Sequence, residues 1–204
     1  NGKRYLCILR PSTPTLDLSK GEKDKPLQGK VDETAAQTLS NYSIVFVVDN
    51  SASMGTKDCP GEVSRWQWCR DHIKSLYAED RGKLEKNISI ITFDNNFRSH
   101  RNSAPSELTG VFQTSIPTGE TMMAPALQEA FSLVARPLDQ NRPAVICVIT
   151  DGRPSDADNV KQGIIRQVNS LRNAKLLSII FIEVGTPEKF LKEIDTDLVK
   201  QGAS

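Results

Sequence analysis

An uninterrupted apolar run at residues 44–48 constrains the fold of this chain more than any other segment. Its residues are β-branched or aromatic, which is typical of a strand that is covered on both faces in the middle of a parallel sheet. Asp49, Ser51 and Ser53 follow the run at alternate positions. Ligands of open α/β sheets bind beyond the carboxyl ends of the strands. The segment therefore predicts a central strand with a functional site at its end.

The rest of the chain alternates between helix and strand patterns, which we identify from the spacing of apolar residues. After the first strand, the predicted elements are a helix over 62–78, a hairpin pair of strands beginning at residue 88, a helix over 122–134, a strand over 144–150, a helix over 160–171, a strand over 177–184 and a last helix over 190–198. This alternation predicts an α/β fold with a three-layer, Rossmann-like, doubly wound sheet. The sheet should be mostly parallel, with one short antiparallel edge strand and helices on both faces.

The first 40 residues differ in composition from those that follow. They contain one short apolar patch at residues 5–9, then charged sequence with proline and glycine. We therefore predict an N-terminal arm or linker over residues 1–40 and a single α/β domain over residues 41–204. Within the arm, residues 5–9 could add an edge strand and residues 32–39 could form a short helix.

Charge and cysteine content narrow the classes of partner and compartment. With 26 basic and 25 acidic side chains the formal net charge is +1, so no overall field attracts nucleic acid, and no apolar stretch is long enough to insert into a membrane. Cys59 and Cys69 could pair, but cysteines are sparse and Cys147 lies within an apolar strand. This usage favours a reducing, cytoplasmic compartment. Oligomeric state leaves no signal in the sequence.

Three segments rich in side-chain oxygens should meet at one end of the sheet, namely residues 49–54, 118–121 and 151–158. The candidate metal ligands in them are two carboxylates and three hydroxyls, Asp49, Ser51, Ser53, Thr121 and Asp151. Mg2+ prefers about six oxygen ligands, usually from one or two carboxylates, hydroxyls and waters. Alternate spacing in the first segment lets a turning loop point three side chains inward. The sequence therefore predicts a Mg2+ site, with Mn2+ or Ca2+ as alternative ions.

These three segments resemble the metal-ion-dependent adhesion site of the von Willebrand factor A domain family. DNSAS matches the Asp-x-Ser-x-Ser motif of that family, GET ends at the distant threonine, Thr121, and VITDG contains the final aspartate, Asp151. The resemblance covers roughly residue 42 to the C-terminus. It implies that the ion is held by Asp49, Ser51, Ser53, Thr121 and Asp151. Asn50 and Ala52 depart from the commonest form of the first motif, but neither occupies a ligand position.

The resemblance implies a binding module rather than an enzyme. In this family the ion accepts a Glu or Asp carboxylate from a partner protein, so that recognition depends on the divalent cation. Residues expected around the rim of the site are Lys57, Asp58, Glu62, Arg65, Glu120, Met122, Arg153, Asp156 and Asp158. Family members often change affinity by shifting the last helix, and whether this chain does so stays open.

Two other functions remain as alternatives: a metal-dependent phosphohydrolase, and a scaffold in which the metal is purely structural. Haloacid dehalogenase-like phosphohydrolases also begin with an apolar strand that ends in Asp. They need a second acid two residues later, where this chain has Ser51. His72 lies in the first predicted helix and His100 near the edge strand, so neither is expected at the site. These features argue against catalysis.

Four residues have more than one interpretation. Thr118 is a rival of Thr121 for the ligand role because both lie in the same glycine-containing loop. Asp156 and Asp158 fit a helix start and are expected to cap the following helix or to line the rim. Trp68 should point away from the core face of the first helix, where it could mark a contact surface or be an ordinary exposed aromatic residue.

Overall fold

The computed structural model describes residues 7–9, 42–79, 88–101, 105–185, 190 and 193–194. In this part of the chain the strands are β1 (Cys7–Leu9), β2 (Ser43–Asp49), β3 (Ile88–Phe93), β4 (Phe97–His100), β5 (Ala144–Thr150) and β6 (Leu177–Glu183). The helices are α1 (Arg65–Glu79), α2 (Pro105–Thr114), α3 (Ala124–Asp139) and α4 (Ala157–Ser170). Short 3-10 turns occupy Ala52–Gly55 and Ala174–Leu176. Residues 190, 193 and 194 are helical.

The strands form one six-stranded sheet in the order β1-β6-β5-β2-β3-β4. Neighbouring strands are parallel except β3 and β4, which form an antiparallel pair at one edge. β2 lies near the centre, where Val45 is opposite Ile146 of β5 on one side and Ser89 of β3 on the other. The predicted fold class is therefore confirmed, and at the opposite edge β1 lies within the segment that could add a strand.

Side chains of the central strands alternate between two hydrophobic cores, one on each face of the sheet, because successive strand residues point to opposite faces. Val45 packs on one face with Phe131 of α3, and α4 contributes to the same core. Phe46 packs on the other face with Trp66 of α1 and Phe112 of α2. Every residue of β2 from Ile44 onward is buried, which explains its continuous apolar sequence and gives the three-layer architecture.

Two helices differ from the sequence prediction. α2 was not predicted, because its pattern is short, contains a glycine, and buries Val111 and Phe112 at adjacent positions. α3 extends five residues beyond the predicted end, to Asp139, although Pro137 lies inside it. Leu138 is buried in the core, so packing holds a last turn that the proline alone would disfavour.

Trp68 is half-buried rather than exposed, so the prediction of an exposed aromatic residue is wrong. Its ring stacks on the imidazole of His72, with 3.7 Å between ring centroids, and it packs partly against the core beneath α1. Residues four apart on a helix are neighbours, so this stacking follows from the spacing of the two residues. Part of the Trp68 ring is therefore covered by the chain itself.

Other predictions fall partly outside the described residues. Cys59, Cys69 and Cys147 are buried and free, so the Cys59–Cys69 pair is not formed in this structure. The short helix predicted at 32–39 and most of the last helix lie outside the described residues, and the boundary near residue 40 stays a prediction. None of the helices in the described ranges is long and apolar enough to cross a membrane.

Candidate metal centre

The two candidate carboxylate ligands lie at the ends of two adjacent parallel strands. Asp49 is the last residue of β2, and Asp151 directly follows β5. From β2 the chain continues to β3 on one side, and from β5 it continues to β6 on the other. The connecting segments therefore diverge and leave a crevice, which is where ligands of doubly wound sheets bind. Both aspartates are buried, with 0% and 6% of their surface exposed.

Asp49 is held from two directions. The backbone N–H of Ser51 donates to Asp49 Oδ1 over 2.8 Å, and the Thr150 hydroxyl donates to Oδ2 over 2.7 Å. Burial raises the pKa of Asp49 to about 6, although these hydrogen bonds act in the opposite direction, and the charge of Asp151 raises it further. The carboxylate is thus positioned but poorly neutralised by its surroundings, a situation that a bound cation would relieve.

Hydroxyl groups connect the first loop to Asp151. Ser51 Oγ and Ser53 Oγ are hydrogen-bonded over 3.1 Å, and Ser53 Oγ donates to Asp151 Oδ1 over 2.9 Å. The 3-10 turn that presents Ser53 is fixed by Met54, which is fully buried in the core. Direct hydrogen bonds therefore join four of the five predicted ligands, in the order Asp49, Ser51, Ser53 and Asp151.

The loop that carries Thr121 lies against both of these segments. The Thr118 N–H donates to the Asn50 carbonyl over 2.9 Å, and the Ser155 N–H donates to the Thr121 carbonyl over 2.9 Å. Thr118 is exposed, whereas Thr121 is half-buried. The three loops predicted to meet do meet, whereas the choice of Thr121 rather than Thr118 as a ligand stays a prediction.

Gly119 allows this loop to approach the turn after β3. Its φ is +73°, and a Cβ there would lie 2.8 Å from Asn95 Oδ1, which accepts a hydrogen bond from the Glu120 N–H over 2.6 Å. Gly119 also accepts a hydrogen bond from the Ala52 N–H. The supporting role of Asn95 was not predicted, because Asn-Asn after a strand is typical of any hairpin turn.

Asp156 caps a helix, but not the one that follows it. Its Oδ1 accepts from the Met123 N–H over 3.0 Å and its Oδ2 from the Ala124 N–H over 2.8 Å, at the start of α3. Its side chain makes no capping bond to its own helix, α4. Asp156 thus stands at the N-cap position of α4, but its carboxylate does not cap that helix as expected and instead ties α4 to the end of the Thr121 loop. Asp158 is exposed in the first turn of α4.

Arg65 lies inside the site rather than on its rim. Its Nη1 donates to Asp151 Oδ2 over 2.8 Å, while Nε and Nη2 donate to the two oxygens of Asp58 over 2.9 and 2.6 Å. The Arg65 side chain is only 12% exposed. Arg65 was predicted among the rim residues, because no sequence signal indicates that the first turn of α1 reaches a candidate ligand.

The available donors suit a hard divalent cation. Within the described ranges, no group of three or more carboxylate, imidazole or thiol side chains is arranged to hold a metal. An ion here would therefore be held by two carboxylates together with hydroxyls and water. Mg2+ is commonly bound in this way, because it prefers oxygen and retains part of its hydration shell. The residues present fit such an ion.

This chain matches the model of a known protein family. The model for the von Willebrand factor type A domain matches residues 44–153, just over half of the chain. No curated protein sequence matches this chain.

Three solved structures share the fold at low sequence identity. Manganese-loaded TRAP protein of Plasmodium vivax has a TM-score of 0.51 at 19% identity, and the match covers 76% of this chain and 63% of that one. The SpRpn10 VWA domain has a TM-score of 0.51 at 10% identity, with 76% and 94% covered. The pilus adhesin SpaC of Lactobacillus rhamnosus GG, in its open conformation, has a TM-score of 0.53 at 11% identity, with 78% and 29% covered. The chain thus spans less than two thirds of the TRAP and SpaC chains. Because the family model matches more than half of this chain, the chain belongs to the von Willebrand factor type A domain family.

Proposed function

We propose that this domain binds a partner protein through a divalent cation held by Asp49, Ser51, Ser53, Thr121 and Asp151. The observation that carries the proposal is the hydrogen-bonded series from Ser51 through Ser53 to Asp151, next to the buried Asp49. Membership of the von Willebrand factor type A family supports it, as does the manganese-loaded state of the TRAP structure. Mg2+ is the proposed ion, with Mn2+ or Ca2+ as substitutes.

The donor set suits recognition of a carboxylate. Asp49 and Asp151 together balance the charge of a divalent ion, and the serine and threonine hydroxyls add oxygen ligands without adding charge. When bound, the cation supplies an electrophilic centre that can accept a Glu or Asp carboxylate from the partner. The exposed residues around the turn at 52–58 then provide the surface that distinguishes one partner from another.

A binding role is favoured over the phosphohydrolase alternative. Ser51, at the position where that chemistry needs an acid, is 2% exposed and hydrogen-bonded to Ser53. His72 is exposed on α1, where its Nδ1 is hydrogen-bonded to the Trp68 carbonyl. Neither side chain is placed to exchange a proton with a substrate beside Asp49. The pilus adhesin SpaC, which shares the fold, adds support for an interaction role.

Thr121→Ala is expected to weaken Mn2+ binding by at least about tenfold, because it removes an oxygen ligand. Thr118→Ala is the matched control, since it removes the same group from the same loop at an exposed position. It should change the affinity by less than about twofold. Isothermal titration with MnCl2 at pH 7.5 measures both. A larger loss for Thr118→Ala than for Thr121→Ala would reverse the ligand assignment.

Partner binding is tested with immobilised wild-type and Asp49→Ala domains incubated with source lysate in MgCl2 or EDTA. The proposal predicts a protein that is captured only by the wild type and only with Mg2+. Replacing single Asp and Glu residues of that protein by Asn and Gln should then identify one carboxylate whose loss abolishes capture. Equal capture in EDTA would instead favour a structural metal. Turnover of a generic phosphoester that Asp49→Asn abolishes would favour the enzyme alternative.

A further inference from the structure

Arg65 joins a candidate metal ligand to a second carboxylate outside the ligand set. Its guanidinium forms two hydrogen bonds with Asp58 and one with Asp151, all between 2.6 and 2.9 Å. The Asp151 side chain is 3% exposed, whereas that of Asp58 is 32% exposed. One end of this bridge is therefore inside the site and the other is near solvent. Two-bond pairing between arginine and a carboxylate is the stronger arrangement.

The backbone after β6 leaves room for the guanidinium in this position. Gly185 has a φ of +85°, and a Cβ there would collide with Nε, Cζ and Nη2 of Arg65. The preceding residue, Val184, is buried and donates its N–H to the carbonyl of Thr150 over 3.0 Å. Arg65 thus occupies a place shaped by the ends of β5 and β6 rather than extending freely from α1.

Both oxygens of Asp151 are already engaged without an ion. Ser53 donates to Oδ1 and Arg65 to Oδ2. An ion that binds Asp151 must share its charge with the guanidinium or displace it, and two cations beside one carboxylate repel each other. Asp58 already holds the guanidinium through two hydrogen bonds and can keep it when an ion takes Asp151.

We infer that Arg65 is a built-in cation that competes with the divalent ion for Asp151, and that Asp58 limits this competition by holding the guanidinium. This inference rests on the proposed metal site. Arg65 stabilises Asp151 when no ion is present and lowers the ion affinity of the site. The strength of the Arg65–Asp58 pair then sets how much free cation the domain needs before it can bind a partner.

The test is isothermal titration of MnCl2 into the wild type and five variants at constant ionic strength. Arg65→Gln should tighten binding by about tenfold, because the competing charge is gone. Asp58→Asn should weaken binding by about threefold, because the guanidinium then pairs with Asp151 alone. Arg70→Gln and Asp71→Asn are the matched controls, since they remove the same charges from an exposed pair on the same helix. They should change the affinity by less than about twofold.

A second measurement separates competition from misfolding. In EDTA, Arg65→Gln should melt at a lower temperature than the wild type, and Mn2+ should raise its melting temperature by more. Arg65→Lys keeps the positive charge but lacks the planar fork that bonds Asp58 through two nitrogens while a third reaches Asp151, so its Mn2+ affinity should lie between those of wild type and Arg65→Gln. If Arg65→Gln does not fold, Arg65→Lys and Asp58→Asn decide the question with opposite expected changes.

The outcomes distinguish the inference from the proposed function. One equivalent of Mn2+ bound equally well, or less well, after Arg65→Gln or Arg65→Lys would overturn the inference and leave the metal site in place. No binding by the wild type or by any variant would overturn both. If Mn2+ binds only to the Arg65 variants and not to the wild type, Arg65 excludes the ion from Asp151 completely, which supports the inference.

Discussion

Replacing Asp49 with asparagine is expected to stabilise the metal-free domain at pH 7.5 by about 3 kcal/mol, and to abolish its stabilisation by Mn2+. Asp49 is completely buried, and burial raises its pKa from 3.8 to about 6. At pH 7.5 the folded protein must keep this charge in a poorly solvating site. Asparagine removes the charge and retains a carbonyl oxygen for the Ser51 N–H.

The pH dependence of this effect has a defined sign. Because the folded pKa of Asp49 is raised, its contribution to stability is fully present below about pH 3.8 and is lost as the pH rises through about 6. The difference in unfolding free energy between Asp49→Asn and wild type should therefore be large at pH 7.5 and close to zero near pH 3.8. Urea denaturation in EDTA at both pH values measures it.

Asp139→Asn is the control for this experiment, because Asp139 is an exposed carboxylate at the end of α3. It should change the unfolding free energy by less than about 0.5 kcal/mol at either pH. An Asp49→Asn protein less stable than wild type at pH 7.5 would contradict the expected cost of burying this carboxylate. A retained Mn2+ response in that variant would contradict its role as a ligand.

Asp156→Ala is expected to destabilise the domain by about 3 kcal/mol. The Asp156 carboxylate accepts hydrogen bonds from the Met123 and Ala124 N–H groups, and Met123 is fully buried. Without Asp156 these amides would lose their acceptor, and the positive end of α3 would lose a favourable negative charge. The Thr121 loop, which leads directly into α3, should then become less well positioned, so the Mn2+ affinity should also fall.

Asp156→Asn is the matched variant for this prediction, because it preserves the shape and one acceptor oxygen. Its loss of stability should be about half that of the alanine variant. Urea denaturation gives both values, and titration with MnCl2 gives the effect on the site. A change below about 1 kcal/mol for Asp156→Ala would mean that water replaces the carboxylate at the start of α3.

Several features of the fold follow from local sequence. A continuous apolar run such as residues 44–48 has few stable environments other than a strand covered on both faces, and β2 occupies that environment. The alternation of strands and helices led to a mostly parallel sheet, which is confirmed. α2 was missed because its burial depends on contact with α1 rather than on a strong pattern of its own.

The candidate ligands were predicted from residue types at strand ends, and their role in metal binding stays a prediction. Their supporting residues could not be predicted in the same way. Arg65 and Asp156 are ordinary charged residues near helix starts, where capping or solvent exposure is the usual outcome. Only the packing of α1 against the sheet brings Arg65 to Asp151, and only the packing of α4 beside α3 brings Asp156 to the Met123 N–H.

The sequence by itself determined the central strand, the order of the elements and the polar residues at the strand ends, because these depend on short-range periodicity and residue chemistry. The tertiary structure decided which charges meet. Met123 contacts Asp156, which lies 33 positions further along the chain, and Arg65 contacts Asp151, which lies 86 positions further along. Both contacts depend on how the helices pack on the sheet. A carboxylate predicted as a free metal ligand is therefore found already paired with an internal cation.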